Sequence, residues 1–279
     1  MALTVHPFAA PLGAEASGID PHDVSDTDLE AARRALAEHG VLVLRDQRLS
    51  PADLVRFSRR FGEIEYHVLD QYWLPEEPEI YVISNIVENG KPIGNPREGF
   101  GWHTDLSYMP LPTAYTFLYG LEVPDEGSET LFCTVYPATD ALDPALRARL
   151  ESTTMRHSYA MLHASRPWAP PLTEEQKARS PDVFHPMVRT HPITGRKGVY
   201  LGGTTVSVPL GMDETKGRAL VDDLFERTTR PEHVYAHKWR RHDLVFWDNR
   251  GVMHSATEYD RDRYRRLIHR TSVRGEKPY

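Results

Sequence analysis

With a single cysteine, Cys133, among 279 residues, the chain can form no intramolecular disulfide and no cysteine-built zinc cage, which fits a reducing compartment. Long apolar runs are also missing. None approaches the roughly 20 residues of a membrane-spanning helix, and the opening MALTVHPFAA has neither a basic start nor a long apolar centre, so a cytoplasmic location is expected. Positive charge is in deficit. Thirty-three Lys and Arg against 40 Asp and Glu leave a net charge of −7, which gives no field to draw in a nucleic acid backbone or an anionic membrane. Internal repeats and low-complexity tracts are absent too. What remains is 40% hydrophobic and 26% charged, the balance of a globular protein with a real core.

The chain opens with helical patterning and then turns to strands. Residues 25–40 carry Ser and Asp cap candidates, apolar positions at helical spacing and a closing Gly40, and VLVLRD at 41–46 follows as a buried strand. A second helix starts at Ser50, with Pro51 in its first turn, and stops at Gly62. Strand-like runs then recur at 79–84, 114–119, 130–136, 198–201, 233–238, 243–247 and 265–272, interrupted by helical stretches near 141–151 and 213–228. The expected fold is mainly β with flanking helices, in which strands distant in sequence share one bowl. One domain over 1–279 is expected, with breaker-rich segments at 86–101 and 164–187 serving as lid-like loops.

Fourteen histidines invite over-reading, and most are read as surface or hydrogen-bonded core residues. Two have better company. In GFGWHTDLSY, His103 and Asp105 are one residue apart, so extended backbone sends both side chains from the same face. His254, after the strand-like segment and turn of DLVFWDNRGVMH, is positioned to add a third ligand across a barrel. Two histidines and a carboxylate on one side of a metal leave positions open for a cosubstrate and dioxygen, the arrangement of non-haem Fe(II) oxygenases. In RRLIHR, alternation puts Arg266, Ile268 and Arg270 on one face. If Ile268 faces inward, two guanidiniums go with it and must meet anions: one suits a dicarboxylic cosubstrate, the other an acidic substrate. The plain alternative is a strand whose arginines reach solvent or pair with the chain's own acids.

The set WHTDLSY, GSETLF, VRTHPITGRKGVYL, DLVFWDNRGVMH and RRLIHRTSVRGEKPY closely resembles the taurine and chlorophenoxyacetate dioxygenases, Fe(II)/2-oxoglutarate enzymes, from FSRRFGE at 57–63 to the C-terminus. The resemblance implies a double-stranded β-helix, the cupin-like jelly roll, with metal in the bowl. It implies iron ligands His103, Asp105 and His254; Thr130 and Arg266 on 2-oxoglutarate; and Arg270 and His67 on the prime substrate. The implied reaction hydroxylates a small anionic substrate (sulfonate, sulfate ester, aryloxy acid or amino-acid-like carboxylate) with O2, giving succinate and CO2. With Asp105 present, halogenation is not expected. A homo-oligomer, dimer or tetramer, is the family expectation. Two positions depart from the taurine enzymes. The tyrosine and asparagine that hold the sulfonate end align with Asp70 and Gly99, and LGGTT at 201–205 looks short of an aromatic wall, so taurine is not expected as the best substrate. An acid at 70 would instead face an amine or hydroxyl. Trp102 and Trp247 are read as core packing, and Tyr108, Asn85 and Trp168 as lining without a role. The alternatives are a zinc hydrolase on the same three residues and a jelly roll that only binds an anion.

Overall fold

The computed structural model describes residues 3–166, 171–203 and 206–279. Its organising element is an eight-stranded sheet built from both ends of the chain: Thr4–Pro7, Ala14–Ser17, Val41–Leu44, Leu244–Asp248, Thr113–Glu122, Leu267–Arg274, Glu77–Ser84 and Trp73–Leu74, in that spatial order. All neighbours are antiparallel except Ala14–Ser17 beside Val41–Leu44. A second sheet pairs Thr130–Thr134 with Val234–His237 on one side and Val252–Ala256 on the other.

The run VLVL explains how the layers meet. Its four residues are all buried, but they serve two cores. Val41 and Val43 join Tyr81, Ile83, Leu118, Val245, Trp247 and Ile268 against Phe132 and Val252 of the second sheet. Leu42 and Leu44 point the other way, with Phe117 and Phe246, onto Leu29, Leu36, Leu54 and Phe57 of the two N-terminal helices. A strand covered on both faces reads as a continuous apolar run. Those helices, Asp26–His39 and Pro51–Arg59, begin as expected: Ser25 caps the first, and Ser50 with Asp53 forms a capping box on the second. Beyond the second sheet, Val221, Leu224 and Phe225 of helix Glu214–Thr228 pack with Cys133 and Met253. Helix, sheet, sheet and helix make the double-stranded β-helix, or jelly roll.

The segments read as loops are partly ordered. Within 86–101, Val87–Glu88 and Lys91–Pro92 form a hairpin whose Asn89 and Gly90 have φ of 50° and 75°, the Asn-Gly turn that two-residue hairpins favour. Within 164–187 lie a helix, Glu174–Arg179, started by a Thr173–Gln176 capping box, and a strand, Val183–Pro186. Trp168, Thr204 and Thr205 lie outside the described residues.

Burial depresses several histidines in this core. His67 and His269 are pushed down to about 4 and His157 to about 3. Each stays neutral in the fold at pH values where the unfolded chain, at about 6.5, already binds a proton. Their stabilisation is therefore complete above pH 6.5 and is lost as pH falls toward 4, by about 1.4 kcal/mol per pH unit for each group. Urea midpoints of the metal-free protein should drop steeply from pH 7 to pH 5. Equal midpoints would contradict this burial.

Candidate active site

His103, Asp105 and His254 come together, although about 150 positions separate the first from the last. His103 and His254 exchange backbone hydrogen bonds, His103 N–H to His254 O at 3.0 Å and His254 N–H to His103 O at 2.9 Å. That antiparallel bridge extends the Val252–Ala256 edge of the second sheet and places the two rings 4.2 Å apart. The extended backbone expected for H-x-D holds at His103, while Asp105 enters a turn. One ligand atom from each of the three residues lies within 4.8 Å of the others, with His103 Nε2 3.8 Å and His254 Nε2 3.6 Å from the Asp105 carboxylate.

The donor chemistry fits a divalent metal. His103 Nδ1 lies 2.7 Å from the Gly101 carbonyl and must carry its proton there, so Nε2 keeps its lone pair. Gly101 adopts φ 81°, which an L side chain rarely takes, to present that carbonyl. Burial holds His254 well below the usual imidazole range, overriding the attraction of Asp105, and leaves it neutral. Burial alone would raise Asp105, but the Arg270 guanidinium against it, with the Thr116 hydroxyl, holds it well below the usual carboxylate range. The three side chains therefore offer two imidazole nitrogens and one carboxylate.

Asp105 is also held from behind, by residues whose sequence context gave them no role. Its Oδ2 accepts from Thr116 Oγ1 at 2.6 Å and its backbone N–H donates to Asn249 Oδ1 at 3.2 Å. Asn249 Nδ2 donates in turn to Thr116 Oγ1 at 2.9 Å, and Trp247 Nε1 donates to Asn249 Oδ1 at 3.1 Å. A threonine buried mid-strand between Tyr115 and Phe117 is the signal that was available. Thr116→Val and Asn249→Ala should each weaken metal binding about 10- to 100-fold by chelator competition. A loss under about threefold would show that these bonds do not orient the ligand.

The strand Leu267–Arg274 keeps the expected register at this end. Ile268 is fully buried, and Arg266 and Arg270 are buried with it. Arg270 Nη2 donates to Asp105 Oδ1 at 2.8 Å and its Nε to Ser272 at 3.2 Å. It thus meets one of the chain's own acids, as the plain alternative had it, while also lining the open pocket over the ligand trio. Arg266 is different. Its Nε is buried without a hydrogen bond, and no described carboxylate lies within 4.0 Å of its guanidinium. Burial pulls it down to about 10, so it remains a cation at neutral pH. It lines a small cavity with Thr130, Trp247, His103 and His254. Thr130 Oγ1 accepts from Trp239 Nε1 at 3.0 Å, which leaves its own hydroxyl proton to be donated. Asn85, given no role from sequence, receives the Arg266 N–H at 2.8 Å and donates to the Arg261 and Tyr264 carbonyls, so it fixes the approach to this arginine.

His67 lines the larger pocket, is buried, and accepts the Leu69 N–H on Nδ1 at 3.1 Å, which leaves Nε2–H as its donor. Tyr108, Tyr159, Phe100, Leu106, Leu162 and Val206 give this pocket its apolar wall. Trp102 contributes to both core and the larger pocket, and Trp247, core beneath His254 with ring centroids 4.6 Å apart, also lines the small cavity. One expectation is corrected. Asp70 does not face the pocket: it is half-exposed in a short 3-10 turn and pairs with Arg179 at 3.4 Å. Gly99 contributes only backbone, with φ 87° and its carbonyl taking the Ala256 N–H. The charged side chains that do enter beside it are Glu98 and Arg166, neither of them anticipated.

A jelly roll with two histidines and a carboxylate gathered in its bowl defines a class, the mononuclear non-haem metal oxygenases. The chain belongs to the taurine catabolism dioxygenase TauD, TfdA family, whose pattern it matches over residues 4–272. It is 34% identical to pentalenolactone F synthase of Streptomyces arenae over 270 residues, covering 90% of this chain and 88% of that one. With the alpha-ketoglutarate-dependent 2,4-dichlorophenoxyacetate dioxygenase of Cupriavidus pinatubonensis it shares 32% identity, covering 98% of each. The crystal structure of AAD-2 in complex with Mn(II) and N-oxalylglycine superposes with a TM-score of 0.84 at 29% identity, covering 100% of this chain and 99% of that one. The protein is thus a 2-oxoglutarate-dependent oxidoreductase of the dioxygenase type, and its family's cofactors are Fe(II), 2-oxoglutarate and O2. The zinc-hydrolase and binding-only alternatives give way to this class. Among the described residues no helix is long and apolar enough to cross a membrane.

Proposed function

We propose that the protein hydroxylates a C–H bond of a small anionic organic substrate, an aryloxy acid, sulfonate or similar carboxylate, with succinate and CO2 as coproducts. The observation that carries this reading is Arg266, a buried cation with no described carboxylate within 4.0 Å, in the same small cavity as Thr130 and two of the three ligand residues. A structural arginine is normally paired, because an uncompensated buried charge is costly. A dicarboxylate whose far end reaches Arg266 and Thr130 removes that cost.

His103, Asp105 and His254 would hold the metal through Nε2, a carboxylate oxygen and Nε2. Bound together, Fe(II), 2-oxoglutarate and O2 supply the oxidising power to insert one oxygen atom into a C–H bond, the second oxygen leaving in succinate. The chain's own contribution is placement. Arg270 and the Nε2–H of His67 offer donors to the anionic end of the substrate. Tyr108, Tyr159, Leu106 and Val206 hold its body in a cavity that excludes much of the water. The substrate C–H that these contacts bring nearest the ligand trio is the one that reacts.

The test is succinate release from 2-oxoglutarate with Fe(II), O2 and ascorbate, stimulated by members of a panel of aryloxy acids, sulfonates, sulfate esters and amino-acid-like carboxylates. Arg270→Gln should raise the stimulating substrate's KM more than about tenfold. It should also increase uncoupled 2-oxoglutarate consumption, and change the cosubstrate's KM far less. The opposite split would exchange the roles of Arg266 and Arg270.

A further inference from the structure

Behind the cavity of Arg266 lies an indole that the proposed mechanism does not use. Strand Val234–His237 pairs with Thr130–Thr134 so that His237 stands opposite Thr130, and Trp239 follows just beyond the strand's end. Its Nε1–H donates to Thr130 Oγ1 at 3.0 Å. Trp239 is buried in the same core cluster as Leu118, Val245 and Ile268. Packing explains its bulk but not the direction of its single polar atom, which spends its hydrogen bond on a side chain that lines the cavity.

The indole is held in place by its neighbours. The His237 ring meets it edge-on, with centroids 4.8 Å apart and planes at 87°. His237 is itself anchored, its Nε2–H donating to Asp243 Oδ2 at 3.2 Å and its Nδ1 accepting from the Tyr235 hydroxyl at 3.0 Å. Asp243 is fixed in turn by the Arg45 guanidinium and by the Arg240 N–H at 2.7 Å. Gly120 makes room for the ring: a Cβ there would sit 3.2 Å from Trp239 Cε3, closer than packed carbons normally lie.

A hydroxyl both donates and accepts, and it turns freely about its C–O bond, whereas an indole N–H only donates. The indole therefore sets the polarity of this pair. Thr130 Oγ1 accepts from Trp239, and its one proton is left for an acceptor elsewhere. Thr130 and the Arg266 guanidinium line the same cavity, so that proton is available to the anion the guanidinium takes. A chain running from N–H through O–H to a carboxylate also strengthens along its length.

We infer that Trp239 is a positioning residue for the cosubstrate, acting through Thr130: its N–H sets the Thr130 hydroxyl as a donor to the far carboxylate of 2-oxoglutarate. This rests on the reading of the Arg266 cavity given above. The plain alternative is a core tryptophan whose N–H merely finds the nearest oxygen.

A double-mutant cycle separates the two. Calorimetry with 2-oxoglutarate on protein loaded with Mn(II) in the absence of oxygen reads cosubstrate affinity without turnover. Thr130→Val should weaken binding about 10- to 100-fold and Trp239→Phe about 5- to 20-fold. The double variant should stay within about twofold of Thr130→Val alone, because without the hydroxyl the N–H has nothing to orient. A core role would make the two losses multiply, which overturns the inference. A folded Trp239→Phe protein that binds within about twofold of wild type overturns it equally. Should Trp239→Phe fail to fold, proton–nitrogen spectra of the Zn(II)-loaded protein decide. The indole signal displaced furthest upfield by Thr130→Val is that of Trp239. Adding 2-oxoglutarate should move it downfield in the wild type, as the hydroxyl gains an anionic acceptor, and leave it in place in Thr130→Val. No downfield movement in the wild type overturns the inference. Failure of the cavity reading looks different: Thr130→Val and Arg266→Met would both bind 2-oxoglutarate as the wild type does, and Trp239 would have nothing to act through.

Discussion

Replacing His254 with alanine should lower 2-oxoglutarate turnover at least about a thousandfold, because losing one of three protein ligands removes several kcal/mol of metal-dependent stabilisation. The effect should be local. His254 is held in its strand by backbone bonds to His103 that the substitution leaves in place, and its Nδ1 has no hydrogen-bond partner to lose. The variant should therefore fold, keep the Val252–Ala256 strand and show a near-normal circular dichroism spectrum. Substantial residual turnover in a folded His254→Ala protein would take the residue out of the ligand set.

Arg266→Met should produce two opposite changes. The native guanidinium is buried with no described carboxylate within 4.0 Å, and its pKa is pulled from 12.5 to about 10 by burial. At about 1.4 kcal/mol per unit, that corresponds to a net cost on the order of 3 kcal/mol in the ligand-free fold, which the Tyr259 ring 5.8 Å away only partly offsets. An apolar side chain of similar reach relieves it, so the ligand-free variant should be as stable as wild type or more stable, by about 1 to 3 kcal/mol in urea unfolding. The same change should raise the cosubstrate's KM at least about a hundredfold, since a bidentate charged anchor is lost. An arginine that merely served the fold would give the reverse, a destabilised protein with ordinary cosubstrate affinity.

The sequence revealed most where a side chain's role follows from local alternation. RRLIHR gives its own inward face through Ile268, and both arginines are buried with it, while Arg265 stays outside on Glu122. VLVLRD announced a buried strand, which the structure covers on both faces, and Ser50-Pro51 announced a helix start, to which the structure adds Asp53 in a capping box. The H-x-D pair was legible as a pair, but its convergence with His254 depends on a bridge between chain segments about 150 residues apart, which the barrel reading offered and the family resemblance implied. The pocket wall was least legible. Glu98 and Arg166 lie in irregular segments with no period to reveal a facing direction, and their surroundings are assembled from strand Glu77–Ser84, Asn95 and helix Tyr159–Ala164. Counting along an uncertain loop therefore put the acid at Asp70, whose side chain ends on the surface beside Arg179. Thr116 and Asn249 were missed for a related reason. Each is ordinary within its own segment, and their purpose emerges only from the bonds that link them to Asp105.

Anomalous scattering from a crystal grown anaerobically with Fe(II) would test most directly whether these three side chains share one metal. The account predicts a single strong peak within about 2.0 to 2.3 Å of His103 Nε2, His254 Nε2 and an Asp105 carboxylate oxygen, with the remaining positions facing the cavities of Arg266 and Arg270. A peak bound by any other set of residues, or none at this site at saturating Fe(II), would contradict it.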